Sequence, residues 1–164
     1  VEDGNMPLPG LYPEGALVGF AFGQTDAATL AALARLGPIR LTPWRMVLVE
    51  GLNRMPDLSG LITDPDDPLR RVIACTGAPH CPQGLAPTRP LARALAASVP
   101  TEKTLHVSGC AKGCAHPGVA DLTLVAAGDA FCPIRNGTAR DGSTLPLVTN
   151  AALTANPDLI KDLF

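Results

Sequence analysis

At 164 residues the chain is sized for one domain, or for two small lobes sharing a site, and its net charge of −2 with 17% charged residues offers no basic surface to nucleic acid. Hydrophobic residues make up 46% and aromatic residues 4%, so Ala, Leu and Val must build the core, and no run of about 20 apolar residues is present to form a membrane span. The first residues lack the basic-then-apolar pattern of a signal peptide and the chain opens on Val1 rather than Met, so a cytoplasmic piece of something longer is expected.

Seventeen prolines and sixteen glycines predict short elements and many turns. Residues 1–14 are polar, proline-rich and aperiodic, and read as a linker. From residue 15 to 52 the pattern is β-α-β-β. Ala16 to Phe22 is a buried strand closed by Gly23, and Asp26 is placed to cap a helix from Ala27 to Leu36. Leu30, Leu33 and Leu36 recur at helical spacing, and Gly37-Pro38 stops the helix. Ile39 to Thr42 and Met46 to Val49 follow as strand pieces interrupted by Pro43.

Residues 53–68 are acidic and proline-bearing, and read as a connector with a short helix around Asp57 to Ile62. A second, larger unit spans 69–164. A strand leads to Cys75, a helix runs from Pro87-Thr88 to Ala97, and a further strand ends at Val107. Asp121 to Ala127 and Phe131 to Arg135 form a terminal β-meander that ends in an Asn136-Gly137 turn. One more helix is expected from Pro157. The fold class is mixed α/β (α+β).

Four of the five cysteines fall in two pairs, Cys75-x5-Cys81 and Cys110-x3-Cys114, each just after a β-branched run. Two strand ends would therefore deliver two cysteine loops. Disulfides lack support from any sign of an oxidising compartment. Zinc prefers pairs held by a tight turn, and an x5 loop is wide for that. An iron–sulfur cluster tolerates uneven spacing, and Gly77, Gly109 and Gly113 would let backbone N–H groups reach the sulfurs. Spacing favours the cluster and leaves zinc open. Cys132 stands apart as a structural cysteine, and His80 and His116 read as histidines hydrogen-bonded behind the loops.

The residues around the pairs carry a resemblance. Cys75-Thr76-Gly77-Ala78-Pro79-His80-Cys81, with Ser108-Gly109-Cys110-Ala111-Lys112-Gly113-Cys114-Ala115-His116-Pro117, resembles the [4Fe-4S] signature of the nitrite and sulfite reductase superfamily. Within it the wording is most similar to the precorrin-3B synthases of aerobic cobalamin synthesis. The reductases usually carry Pro-Asn where this chain has Ala111-Lys112, a departure that favours the synthase type.

The resemblance implies a ferredoxin-like small lobe over 15–52 and a nitrite/sulfite reductase-type domain over 69–164. It implies Cys75, Cys81, Cys110 and Cys114 as ligands of a [4Fe-4S] cluster. Sirohaem, bridged through Cys114 in the reductases, or a second non-haem iron would be the further cofactor. The implied reaction is an O2-dependent hydroxylation of precorrin-3A with lactone formation; the alternatives are a sirohaem-dependent nitrite or sulfite reductase fragment and, in another class, a non-catalytic electron-transfer or metal-binding module. A ring rich in carboxylates calls for cations at its rim, and Arg40, Arg45 and Lys112 are the candidates. Arg45 stands where the sulfite reductases usually have Gln. The partners implied are a tetrapyrrole, an electron donor and a homologous N-terminal half, because the superfamily builds its site from two halves and this chain resembles the second.

Overall fold

The computed structural model of the chain describes residues 6–143 and 145–164, so residues 1–5 of the expected linker lie outside the described residues. The chain divides into two compact units, Val1–Arg70 and Arg71–Phe164.

The first unit is an antiparallel sheet with one helix. Strands β1 (Gly10–Tyr12), β2 (Gly15–Phe20), β3 (Ile39–Leu41), β4 (Met46–Glu50) and β5 (Leu61–Ile62) form it in the order β1-β2-β4-β3, with β5 also on β2. Helix α1 (Ala27–Ala34) starts where the sequence places it, because Asp26 accepts the Thr29 N–H at 2.7 Å. The helix ends at Ala34, two residues short of the expected Leu36, and of the three spaced leucines Leu33 is the buried one. It packs with Val18, Phe20, Val47 and Val49, while Leu30 and Leu36 remain exposed.

Three expectations in this unit need correction. Gly10–Tyr12 is an edge strand rather than linker, held by Gly10↔Leu17 and Tyr12↔Gly15 pairing; an edge strand bonds on one side only, so the prolines nearby are tolerated. The first buried strand ends at Phe20, and Ala21–Gly23 turns as a 3₁₀ segment. No helix forms near Asp57. Gly60, at φ +84°, breaks the chain, and Leu61–Ile62 pairs with β2 instead. The 53–68 stretch also supplies Met55, Leu58 and Leu61 to the core.

The second unit is a mixed sheet in the order β10-β9-β8-β7-β6. Its strands are β6 (Val72–Ala74), β7 (Leu105–Ser108), β8 (Ala120–Ala127), β9 (Ala130–Gly137) and β10 (Val148–Thr149). The pairs β6–β7 and β7–β8 are parallel, and the remaining two are antiparallel. Helix α2 (Arg89–Leu95), extended by a 3₁₀ turn over Ala96–Ser98, makes the first parallel crossover and buries Leu91, Ala92 and Leu95. Helix α3 (Asn150–Ala155), which the sequence reading missed, is capped by Thr149 and buries Leu153. The helical turn expected from Pro157 is a 3₁₀ segment, Pro157–Leu163, that buries Ile160.

The second parallel crossover carries no helix. Residues 109–119 alone return the chain from β7 to β8, and they hold Cys110 and Cys114. The Asn136-Gly137 turn is also corrected, since Gly137 pairs with Ala120 inside β9. The chain turns just after it, where Asp141 accepts Thr138 N–H, and the β8–β9 hairpin turns at Gly128-Asp129, where Gly128 takes φ +72°.

Candidate metal centre

The parallel register of β6 on β7 sets Ala74 opposite Val107, so the two loops, entered at Cys75 and, after Ser108, at Gly109, leave the sheet at the same carboxyl edge. The Cys75 amide extends the ladder by donating to Val107 O at 3.3 Å. Beyond Cys75 the chain makes a tight loop through a cis Ala78–Pro79 bond. Cys81 N–H donates to Gly77 O at 2.8 Å, Gly84 N–H to Cys81 O at 2.9 Å, and Ala78 N–H to Ala86 O at 3.0 Å. The buried Thr88 hydroxyl closes the base of the loop by donating to Cys75 O at 2.6 Å.

The second loop starts under Ser108, whose hydroxyl donates to Cys110 O at 2.8 Å. Gly113, at φ +64°, turns it back, and His116 N–H donates to Gly113 O at 3.1 Å. His116 Nε2 lies 3.2 Å from Val119 O; a carbonyl only accepts, so Nε2 carries the proton in that bond. The His116 ring meets His106 edge to face, with centroids 5.6 Å apart. His106 is fully buried on β7, and nothing in its strand pattern marked it beforehand.

The five cysteines are all thiols, with Cys114 exposed and the others half-buried. Gly109 N–H donates to Cys75 Sγ at 3.1 Å, so an amide of the second loop meets a sulfur of the first. Among the described residues no three His, Cys, Asp or Glu side chains gather closely enough to hold a single ion. A cluster of several irons makes no such demand, because each iron takes its own thiolate and the sulfurs stand around the cluster rather than at one point. Reduced thiols on two loops at one sheet edge, with an amide donor on one sulfur, suit such a group.

Lys112 is exposed on the second loop. Arg40 and Arg45 belong to the first unit, both exposed. Arg40 forms an ion pair with Glu50 on β4, and Arg45 takes a left-handed backbone, φ +60°, with its side chain against Gly23. Cys132 lies partly buried against Val125, Ile134 and Ala139, in keeping with a structural role. No described helix is long and apolar enough to cross a membrane.

No family model matches the chain. It is 32% identical to a precorrin-3B synthase of Sinorhizobium sp over 155 residues, 80% of this chain and 34% of that protein. It is 33% identical to a ferredoxin–nitrite reductase of Synechococcus elongatus over 128 residues, 64% of this chain and 24% of that protein. The chain belongs to the nitrite and sulfite reductase superfamily. Its fold is that of the NirA protein of Mycobacterium tuberculosis, matched over 99% of this chain and 39% of that one with a TM-score of 0.64 at 22% identity. The mixed α+β architecture with its two sheets is therefore the fold seen in NirA, and the relatives in sequence are oxidoreductases. The chain spans about a third of the length of its precorrin-3B synthase relative and about a quarter of the nitrite reductase.

Proposed function

We propose that this chain is the cluster-bearing part of a precorrin-3B synthase-type oxidoreductase, with Cys75, Cys81, Cys110 and Cys114 holding a [4Fe-4S] cluster. The observation that carries the reading is the meeting of the two cysteine loops, Gly109 N–H on Cys75 Sγ at 3.1 Å, in a chain related to a precorrin-3B synthase over 80% of its length. When bound, the cluster supplies single electrons. The chain's own residues position the four thiolates, carry them at the end of a buried parallel strand pair, and offer cations to an anionic ring. Arg40, Arg45 and Lys112 are assigned to the rim of a carboxylate-rich tetrapyrrole, where a guanidinium fork pairs well with a carboxylate. On this reading residues 15–52 are the ferredoxin-like lobe and 69–164 the cluster domain.

The substrate proposed is precorrin-3A, hydroxylated with O2 and closed to the lactone of precorrin-3B. A homologous N-terminal half and an electron donor complete the cytoplasmic enzyme, and a second non-haem iron is the further cofactor. Ala111-Lys112 in place of Pro-Asn supports the synthase over the reductases. The second reading, a sirohaem-dependent nitrite or sulfite reductase, draws on the 33% identity to a ferredoxin–nitrite reductase. The ultraviolet–visible spectrum of the anaerobically purified full-length protein separates them. Cluster absorption without haem bands, with precorrin-3A converted in air, is expected; sirohaem bands with nitrite or sulfite turnover would overturn the synthase reading.

A further inference from the structure

The backbone of Gly109 is held through both its N–H and its carbonyl by the other cysteine loop. Its N–H donates to Cys75 Sγ at 3.1 Å, and its carbonyl accepts Leu85 N–H at 2.8 Å. The approach is tight enough that a side chain would have to push the facing backbone back by a few tenths of an ångström. A Cβ on Gly109 would stand 3.2 Å from Gly77 Cα, 3.4 Å from Gly84 Cα and 3.4 Å from Cys75 Sγ. The two glycines it faces are tighter still, since a Cβ on Gly77 would meet Thr88 Oγ1 at 2.7 Å and one on Gly84 would meet Ala78 N at 2.6 Å. Three backbones thus interlock between Cys75 and Cys110.

We propose that Gly109 is a positioning residue that straps the two ligand loops together and makes Cys75 the thiolate that takes a hydrogen bond from the opposite loop. The proposal rests on the cluster reading above. An N–H aimed at a thiolate is a charge-assisted donor, and it stabilises the extra negative charge that a cluster sulfur carries after reduction. The strap therefore favours the reduced state and raises the midpoint potential. Gly109→Ala keeps the N–H but forces the interlocked backbones apart, which lengthens the bond to Cys75.

Two measurements on the anaerobically purified chain test this. The first is residue-resolved amide hydrogen exchange, with Leu85 N–H as the gauge that the loop is intact. Gly109 should exchange at least tenfold more slowly than the exposed Ala111 amide. That protection should vanish in Cys75→Ala and persist in Cys81→Ala, which removes a ligand but not the acceptor. Equal protection in the two variants, or none in the wild type, would overturn the strap whether or not iron is bound. The second is the midpoint potential, which decides if Cys75→Ala disturbs the Leu85 amide. Gly109→Ala should lower the reduction equilibrium roughly tenfold, about 59 mV for one electron, while Gly118→Ala, where a Cβ makes ordinary contact with the His116 ring, leaves it unchanged. An unshifted potential in Gly109→Ala would overturn the proposal. Protein that holds no cluster would sink the functional reading and leave the exchange result to judge the strap alone.

Discussion

Ala74 and Val107 face each other across the parallel β6–β7 pair, and the chain turns out of the sheet into a cysteine loop just beyond each of them. Val107 is fully buried, so the launch point of both loops depends on its packing. Val107→Ala should cost about 2 kcal/mol from lost burial and the cavity left behind. Urea unfolding followed by circular dichroism measures it, and a change under 0.5 kcal/mol would show that the strand pair is not fixed by this contact.

Thr88 makes a related prediction at the base of the first loop. Its hydroxyl donates to Cys75 O from a fully buried position, and Val has nearly the same shape without the donor. Thr88→Val should therefore cost about 1–3 kcal/mol, the range for a buried acceptor deprived of its partner. Iron should also leave the variant faster when a chelator is added. Iron release at the wild-type rate would mean that the loop keeps its shape without this bond.

Much of this was legible in advance because the signals were local. Asp26 before an alanine-rich run and Gly37-Pro38 after it bracket α1, and the β-branched runs before Cys75 and Cys110 mark β6 and β7. What escaped depends on partners distant in sequence. Gly10–Tyr12 sits among prolines and becomes a strand because β2 offers it an open edge. Leu61–Ile62 is too short to show a period, and pairing with Gly19 and Phe20 makes it a strand. Asn136-Gly137 carries a turn signature, yet Gly137 stays in register with Ala120, and the chain turns one step later where Asp141 accepts Thr138 N–H at 2.7 Å. At the site the cysteine spacing was visible. A Gly109 N–H reaching a sulfur was expected too, but not that the sulfur is that of Cys75, because the contact joins residues 34 positions apart.

A clasp behind the second loop gives a pH signature. Asp121 at the start of β8 accepts from Lys103 Nζ at 2.9 Å and from the Thr104 N–H and hydroxyl, each at 2.9 Å, just before β7. The Lys103 bond, then the Thr104 amide, holds its carboxyl down at about 2. A carboxyl whose folded value lies below its unfolded one stabilises the fold above the unfolded value and loses that effect as pH falls through the folded one. The stabilisation is thus complete above about pH 4 and mostly lost by about pH 2. Its side chain is a quarter exposed, so solvent screening limits the effect to about 1 kcal/mol. Asp121→Asn should be less stable than wild type at pH 7, with the gap closing between pH 4 and pH 2. A gap that stays constant across that window would contradict the clasp.

Arg40 separates stability from binding. Its ion pair with Glu50 is two-thirds exposed on the arginine side, and such pairs contribute little. Arg40→Ala should therefore shift unfolding by no more than about 0.5 kcal/mol. With Arg40 on the proposed tetrapyrrole rim, the same variant of the full-length protein should bind its tetrapyrrole roughly tenfold more weakly, the loss of one charge-assisted contact. Unchanged affinity, measured by absorbance titration, would remove Arg40 from the rim.

On the proposed function the two cysteine loops hold one cluster. Iron and sulfide analysis of anaerobically purified protein, with electron paramagnetic resonance of the reduced sample, tests it most directly. About four irons and four sulfides per chain, with a cluster signal that disappears in Cys114→Ser, are expected. Stoichiometric zinc in place of iron, or a full cluster signal retained in Cys114→Ser, would contradict the account.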